Sequence, residues 1–87
     1  MARYRVLIKP SAAEEIEAVD QKRIRQRIVA GIRLLADDPR PPGGEKLAGE
    51  DDRYRIRVGR YRVIYSVGDR ELLVIVVRVG HRKDVYR

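Results

Sequence analysis

Tyr4, Val6 and Ile8 alternate with Arg3, Arg5 and Leu7 at the start of the chain. That period of two predicts a strand over residues 3–9, ended by Pro10. Ser11-Ala12-Ala13-Glu14 has capping-box spacing, with Ser11 as N-cap and Glu14 at N3. A short helix to residue 19 follows from it, burying Ala12, Ile16 and Val19. After Asp20, the residues Ile24, Ile28, Ile32 and Leu35 recur at helical spacing, the inner stripe of an amphipathic helix. Asp37-Asp38-Pro39 stops that helix, because the residue before a proline is pushed out of the α region. Residues 40–52, which include Pro41-Pro42-Gly43-Gly44, show no period and read as a long loop.

The second half is patterned as a meander. Tyr54, Ile56 and Val58 alternate with Arg53, Arg55 and Arg57, Gly59-Arg60 supplies a tight turn, and residues 61–67 run back. Gly68-Asp69-Arg70-Glu71 turns again into residues 72–79, apolar on both faces as in a central strand. The predicted order is β-α-α-β-β-β in one domain over residues 1–87. This is an α+β fold with a helical hairpin packed on one face of an antiparallel sheet and the other face open. Alternation assigns Tyr61 and Tyr65 to the core. A two-residue turn at Gly59-Arg60 sets Val58 opposite Tyr61 and Arg57 opposite Arg62. Like charges opposed across strands cost about 0.2–1 kcal/mol, so the pair calls for an explanation. Either it is a polyanion site, or the guanidinium groups turn to solvent or towards Asp51 or Asp52.

Charge favours the polyanion. Residues 1–52 carry ten basic and ten acidic side chains, whereas residues 53–87 carry ten basic and three acidic, so the whole +7 belongs to the strand-rich part. Nucleic acid is the leading class of partner, an acidic protein the next. There is no cysteine and a single histidine, His81, which argues against disulfides, thiolate chemistry and a transition-metal site. The longest apolar run, residues 72–77, falls far short of the roughly 20 residues that span a bilayer. With no leader-like segment at the N-terminus, the expectation is a cytoplasmic protein with no membrane partner and no cofactor.

Arg55, Arg57 and Arg62 would hold a phosphate through forked hydrogen bonds that lysine does not reproduce. The same donors suit the extra charge of a pentacoordinate phosphorane. Gly80 lets the chain leave the last strand sharply and carry His81, Arg82, Lys83 and Tyr86 toward this face. Arg82 is a further phosphate ligand in this reading, and Arg53, Arg60, His81 and Lys83 are RNA-binding candidates. Arginine is always protonated and cannot act as a base. A tyrosine among guanidinium groups has its pKa lowered, so Tyr86 is the candidate proton acceptor, with His81 the alternative. The plainer reading of Tyr86 is an aromatic packed on the sheet edge, and that of His81 a structural residue.

Tyr54-Arg55-Ile56-Arg57-Val58-Gly59-Arg60-Tyr61-Arg62-Val63-Ile64-Tyr65, followed by Val79-Gly80-His81-Arg82-Lys83-Asp84-Val85-Tyr86, resembles a RelE toxin of the RelE/ParE superfamily. The likeness extends to Lys46-Leu47-Ala48-Gly49 and the helical hairpin. It implies a microbial-ribonuclease-like fold and a toxin of a type II toxin–antitoxin system. The implied activity is metal-independent cleavage of mRNA in the ribosomal A site, the 2′-OH attacking the adjacent phosphate. It also implies a RelB-like antitoxin that neutralises the toxin, with operator DNA bound only through their complex. By position, Arg55 and Arg57 fall where RelE toxins often have lysines. Arg62 matches the arginine of the Gly-Tyr-Arg-like turn, Arg82 the arginine after the final strand, and Tyr86 the C-terminal tyrosine. The alternatives are a ParE-like inhibitor of DNA gyrase and a non-catalytic module that binds nucleic acid or an acidic protein.

Overall fold

The computed structural model describes residues 3–49 and 52–81. Along them run β1 (Arg5–Ile8), α1 (Pro10–Glu17), α2 (Lys22–Leu34), β2 (Glu45–Lys46), β3 (Arg53–Val58), β4 (Tyr61–Gly68) and β5 (Leu73–His81). The strands make one five-stranded sheet in the order β1-β5-β4-β3-β2, with the helical hairpin on one face. The α+β architecture read from the sequence holds, and β5 is an interior strand, between β1 and β4, as its apolar run predicts.

Three expectations are corrected. The sheet is mixed rather than antiparallel, because β1 pairs parallel with β5, Val6 opposite Val74 and Ile8 opposite Val76. Alternation marks a strand but does not encode its partner's direction. The helices and the other strands form the long crossover that a parallel pair needs. Second, the segment read as a loop contains β2, whose Glu45 and Lys46 pair with Arg55 and Tyr54; two residues are too few to show a period. Third, Ser11 is not the N-cap. Helix α1 begins at Pro10 with Lys9 as its cap, and the Ala13 N–H donates to the Lys9 carbonyl at 2.9 Å. Proline's fixed φ and missing N–H suit the first helical position, so the helix starts before the serine.

The core lies between the helices and the inner face of the sheet. Ala12, Ile16, Val19, Ile28, Ile32 and Leu35 meet Ile56, Val58, Val63, Tyr65, Val67, Val74, Val76 and Val79. Each large aliphatic chain buried there contributes about 1.5–3 kcal/mol relative to exposure. Helix α2 comes close to β3 at Gly31, where a Cβ would lie 3.4 Å from Val58 Cγ2.

Near Val77 the alternation of β5 slips by one. Ile64 of β4 pairs with Arg78 and the next residue, Tyr65, with Val76, which leaves Val77 as the extra residue of a bulge. Val74 and Val76 face the helices before it and Val79 after it, so Arg78 turns to the opposite face.

Candidate functional site

The β3–β4 hairpin has the register that its turn predicts, with Val58 opposite Tyr61 and Arg57 opposite Arg62. Gly59 has φ +59° while Arg60 does not share the left-handed region, the pattern of a type II′ turn with glycine first. Opposed residues in an antiparallel pair point to the same side. Arg53, Arg55, Arg57 and Arg62 therefore share the face away from the helices, with Tyr61, Val63 and Tyr65 beneath. The bulge adds Arg78, which the sequence reading missed because strict alternation from Val76 would have turned it inward.

These arginines differ in access. Arg55 and Arg62 are only 8 % and 5 % exposed, whereas the Arg57 side chain is 58 % exposed. A group arriving from solvent meets Arg57 first, with two sunken guanidinium groups behind it.

A carboxylate already sits among them. Glu45 of β2 stands opposite Arg55 and accepts a hydrogen bond from its Nη2. The second oxygen of Glu45 lies 3.9 Å from Arg57 Nη2. One anionic fork thus spans the two guanidinium groups that the sequence reading assigned to a phosphate. That reading looked for such an acid at Asp51 or Asp52. Asp52 is exposed, Asp51 lies outside the described residues, and Glu45 gave no signal because it stood in an aperiodic stretch.

The remaining candidates fall elsewhere. His81 pairs with Tyr61, their rings edge to face with centroids 5.5 Å apart, on the helix side of the sheet and not beside Arg62. Arg60 sits exposed in the turn, where it lines a cavity with His81. Arg53 is half-buried at the far end of the arginine row, opposite Ser66. Arg82, Lys83 and Tyr86 lie outside the described residues. Among the described residues, no three His, Asp or Glu side chains converge as a metal site would require. No helix among them is long and apolar enough to cross a membrane.

At the other end of the sheet a second polar cluster surrounds Arg40. Its guanidinium donates to both oxygens of Asp69, at 3.0 and 2.8 Å, and to the Tyr54 hydroxyl at 3.0 Å, while Tyr4 donates to Asp69 at 2.6 Å. Beneath it the buried Tyr65 donates to the Pro39 carbonyl at 2.7 Å and stacks on Tyr54. The bonds from Arg40 and then Tyr4 hold the Asp69 carboxyl below its ordinary range. The hydrogen bond to Asp69 raises the Tyr4 phenol, and burial pushes Tyr65 up to about 12. Both tyrosines are thus held neutral, unlike the phenolate that the sequence reading wanted beside the arginines.

Residues 6–86 match the model of the ParE toxin of type II toxin–antitoxin systems. A RelE-like toxin protein of Escherichia coli is 36% identical over 88 residues, covering 97% of this chain and 90% of its own length. Among solved structures, the archaeal RelE–RelB complex of Pyrococcus horikoshii aligns with a TM-score of 0.82 at 29% identity, over 98% of this chain and 100% of the other. The RelBE2 toxin–antitoxin complex of Mycobacterium tuberculosis aligns with a TM-score of 0.81 at 28% identity, over 97% of both chains.

Proposed function

Because the chain belongs to the ParE toxin family, within the RelE/ParE superfamily of type II toxin–antitoxin systems, we propose that it is an endoribonuclease that cuts mRNA in the ribosomal A site. The observation that carries this reading is the shared face of Arg55, Arg57 and Arg62, the Arg57–Arg62 juxtaposition above all. A fold has no structural use for opposed like charges, whereas a phosphodiester needs convergent cations.

In the reaction, the 2′-oxygen bonds to phosphorus, the bond from phosphorus to the 5′-oxygen breaks, that oxygen takes a proton from water to leave as a 5′-hydroxyl, and a 2′,3′-cyclic phosphate remains. Arg57 and Arg62, with Arg55 behind, stabilise the charge that builds on the non-bridging oxygens, a task the resemblance gives to Arg82 as well. No metal ion is required for that task in this reading. The 2′ proton goes to a group other than these arginines. Tyr86 takes that role here, since His81 lies on the opposite face. Glu45 is the second candidate, being the carboxylate in contact with both Arg55 and Arg57. Tyr86→Phe and Glu45→Gln, each assayed in single turnover on programmed ribosomes, separate the two. The base is the residue whose loss costs about 10²–10⁴-fold in rate.

The toxin works in the cytoplasm in this reading, and its neutralising partner is a RelB-like antitoxin, through which alone it reaches operator DNA. Support comes from the complexes with RelB that share its fold. An antitoxin segment with acidic side chains would complement the arginine face. A second reading, inhibition of DNA gyrase, is favoured by the ParE description of the matching family. Expression in a translating extract with mapping of mRNA 5′ ends decides between them. Cuts clustered within codons are expected, and intact mRNA with double-strand DNA breaks overturns the ribonuclease in favour of the gyrase inhibitor.

A further inference from the structure

Arg62 has two different neighbours across the sheet. On β3 it faces Arg57, and on β5 it faces Gly80, which has no side chain to place on that side. One step further along the strands, Ile64 lies between Arg55 and Arg78, all three on the same face. The Gly80 backbone is therefore bordered by Arg62 across the strands and by Arg78 along β5. The charge of the transition state employs Arg55, Arg57 and Arg62 and leaves Arg78 without a task. We propose that the place over Gly80 holds the RNA phosphate next to the scissile one, with Arg78 as its ligand. That the ligand is RNA rests on the endoribonuclease reading; the position of this second phosphate rests on the sheet.

Arg78 owes its direction to the bulge. Strict alternation from Val76 would turn residue 78 toward the helices, and Val77 as the extra residue turns it outward. Bulges beside active sites re-aim single side chains in this way. Within the fold alone the gain is small. The Arg78 side chain is 43 % exposed, and its Nε lies 3.9 Å from Oε2 of Glu15, itself 36 % exposed. An ion pair so open to solvent contributes about 0–1 kcal/mol.

That carboxylate is compatible with a phosphate on the same arginine. Oε1 of Glu15 accepts the Val79 N–H at 2.9 Å, which ties the carboxylate to β5, and Oε2 stands on the Nε side of Arg78. A guanidinium has five N–H donors in a rigid planar fork, so a carboxylate beside Nε and a phosphate on the Nη groups fit one side chain.

The spacing suits a continuous strand. Residues diagonal across an antiparallel pair have Cβ atoms about 7–8 Å apart, and Arg62 and Arg78 are such a pair. An RNA backbone crossing from Arg57 toward β5 sets one phosphate on Arg62 and the next on Arg78. Between them the bare Gly80 lets the ribose approach the sheet closely. A grip on a phosphate that does not react holds the scissile one in register, which is how binding away from the reacting atoms assists them.

The test uses the full chain and a short single-stranded RNA made uncleavable by a 2′-O-methyl group, titrated by fluorescence anisotropy across a salt series. Arg78→Gln removes the charge and keeps most of the stem. The slope of log K against log salt is expected to become shallower by about 0.7, the share of one single-strand phosphate. Arg78→Lys should restore the slope, and unfolding temperatures should match the parent protein in both variants. Replacing each phosphate flanking the cleavage position by a neutral methylphosphonate, one at a time, identifies the contact. At one of the two positions it should weaken the parent by about three- to ten-fold, the scale of one charge-assisted contact, and leave Arg78→Gln unaffected. On programmed ribosomes, Arg78→Gln should raise KM more than it lowers kcat. Absence of binding, an unchanged slope in Arg78→Gln, or methylphosphonate effects equal in the two proteins overturns the second phosphate site. Cleavage of mRNA that persists alongside such a result leaves the nuclease standing. An Arg78-dependent slope in a chain that cuts no mRNA keeps the site and sinks the nuclease.

Discussion

Arginine is used in opposite ways at the two ends of the sheet. At the β4–β5 turn, Arg40 meets one carboxylate in a forked pair, with two phenols closing the remaining positions. Charge and hydrogen bonds balance, and the cluster ties the segment after α2 to the turn and to Tyr4 ahead of β1. Toward the β3–β4 turn, Arg55, Arg57 and Arg62 share one face, and Glu45 meets the first two of them. Among the described residues cations outnumber carboxylates in this cluster, and in the proposed reading that makes it a site where the Arg40 cluster is a fastening, although the residue types are the same. Exposure alone would mislead here, since Arg40 is 43 % exposed and Arg62 only 5 %.

Substitutions that trade function for stability break this comparison most directly. Arg62→Ala is expected to lower ribosomal mRNA cleavage by about 10²–10³-fold, the cost of removing one preorganised transition-state donor. Primer extension on programmed ribosomes measures it, with Arg40→Ala as the partner variant that keeps cleavage. An Arg40→Ala protein that loses cleavage as deeply would erase the distinction between the ends. Tyr65→Phe belongs to the fastening end. It leaves the Pro39 carbonyl without its buried donor and should cost about 1–3 kcal/mol in urea unfolding while leaving cleavage intact. Its pH signature is alkaline. The phenol is held neutral up to about 12 against an ordinary 10.0. The native protein therefore has this stabilisation in full below pH 10 and loses it as pH rises toward 12. In Tyr65→Phe that alkaline fall should shrink, and Tyr4, shifted in the same direction, should account for part of what is left.

Glu45→Gln sharpens the other end. Removing the carboxylate that occupies Arg55 and Arg57 should tighten binding of a non-cleavable RNA by about two- to five-fold, the scale of one partly exposed ion pair. Unchanged or weaker binding in fluorescence anisotropy would mean that Glu45 does not compete for the phosphate position. The smallest effect falls on Asp69. Its folded carboxyl sits below the unfolded value, so its contribution is complete above the ordinary carboxylate range and fades as pH falls through the lowered folded value. Asp69→Asn should flatten the acid side of the thermal-stability profile and leave RNA binding as it was.

The elements with a full period were legible in the sequence, and the register of the arginines came with them. Ile28, Ile32 and Leu35 mark the inner face of α2, and Gly59-Arg60 alone suffices to oppose Arg57 and Arg62. What escaped has no period to read. Glu45 sits in a two-residue strand and owes its place entirely to pairing with β3. The parallel docking of β1 is a choice of partner and direction that alternation does not record. The bulge at Val77 resets the phase of β5, so counting along the strand sends Arg78 to the wrong face. Ser11 and Glu14 have the right spacing for a cap, but Pro10 takes the first helical position ahead of them.

Strand β1 ends opposite Val76, and from there β5 continues beyond its neighbour's end. Glu15 of α1 takes over, accepting the Val79 N–H at 2.9 Å and standing 3.9 Å from Arg78 Nε. On that edge the end of β5 is moored to a helix, while β4 still pairs with it on the other. Helix α1 thus caps that edge of the sheet, closing a backbone donor that a missing neighbour strand would leave open.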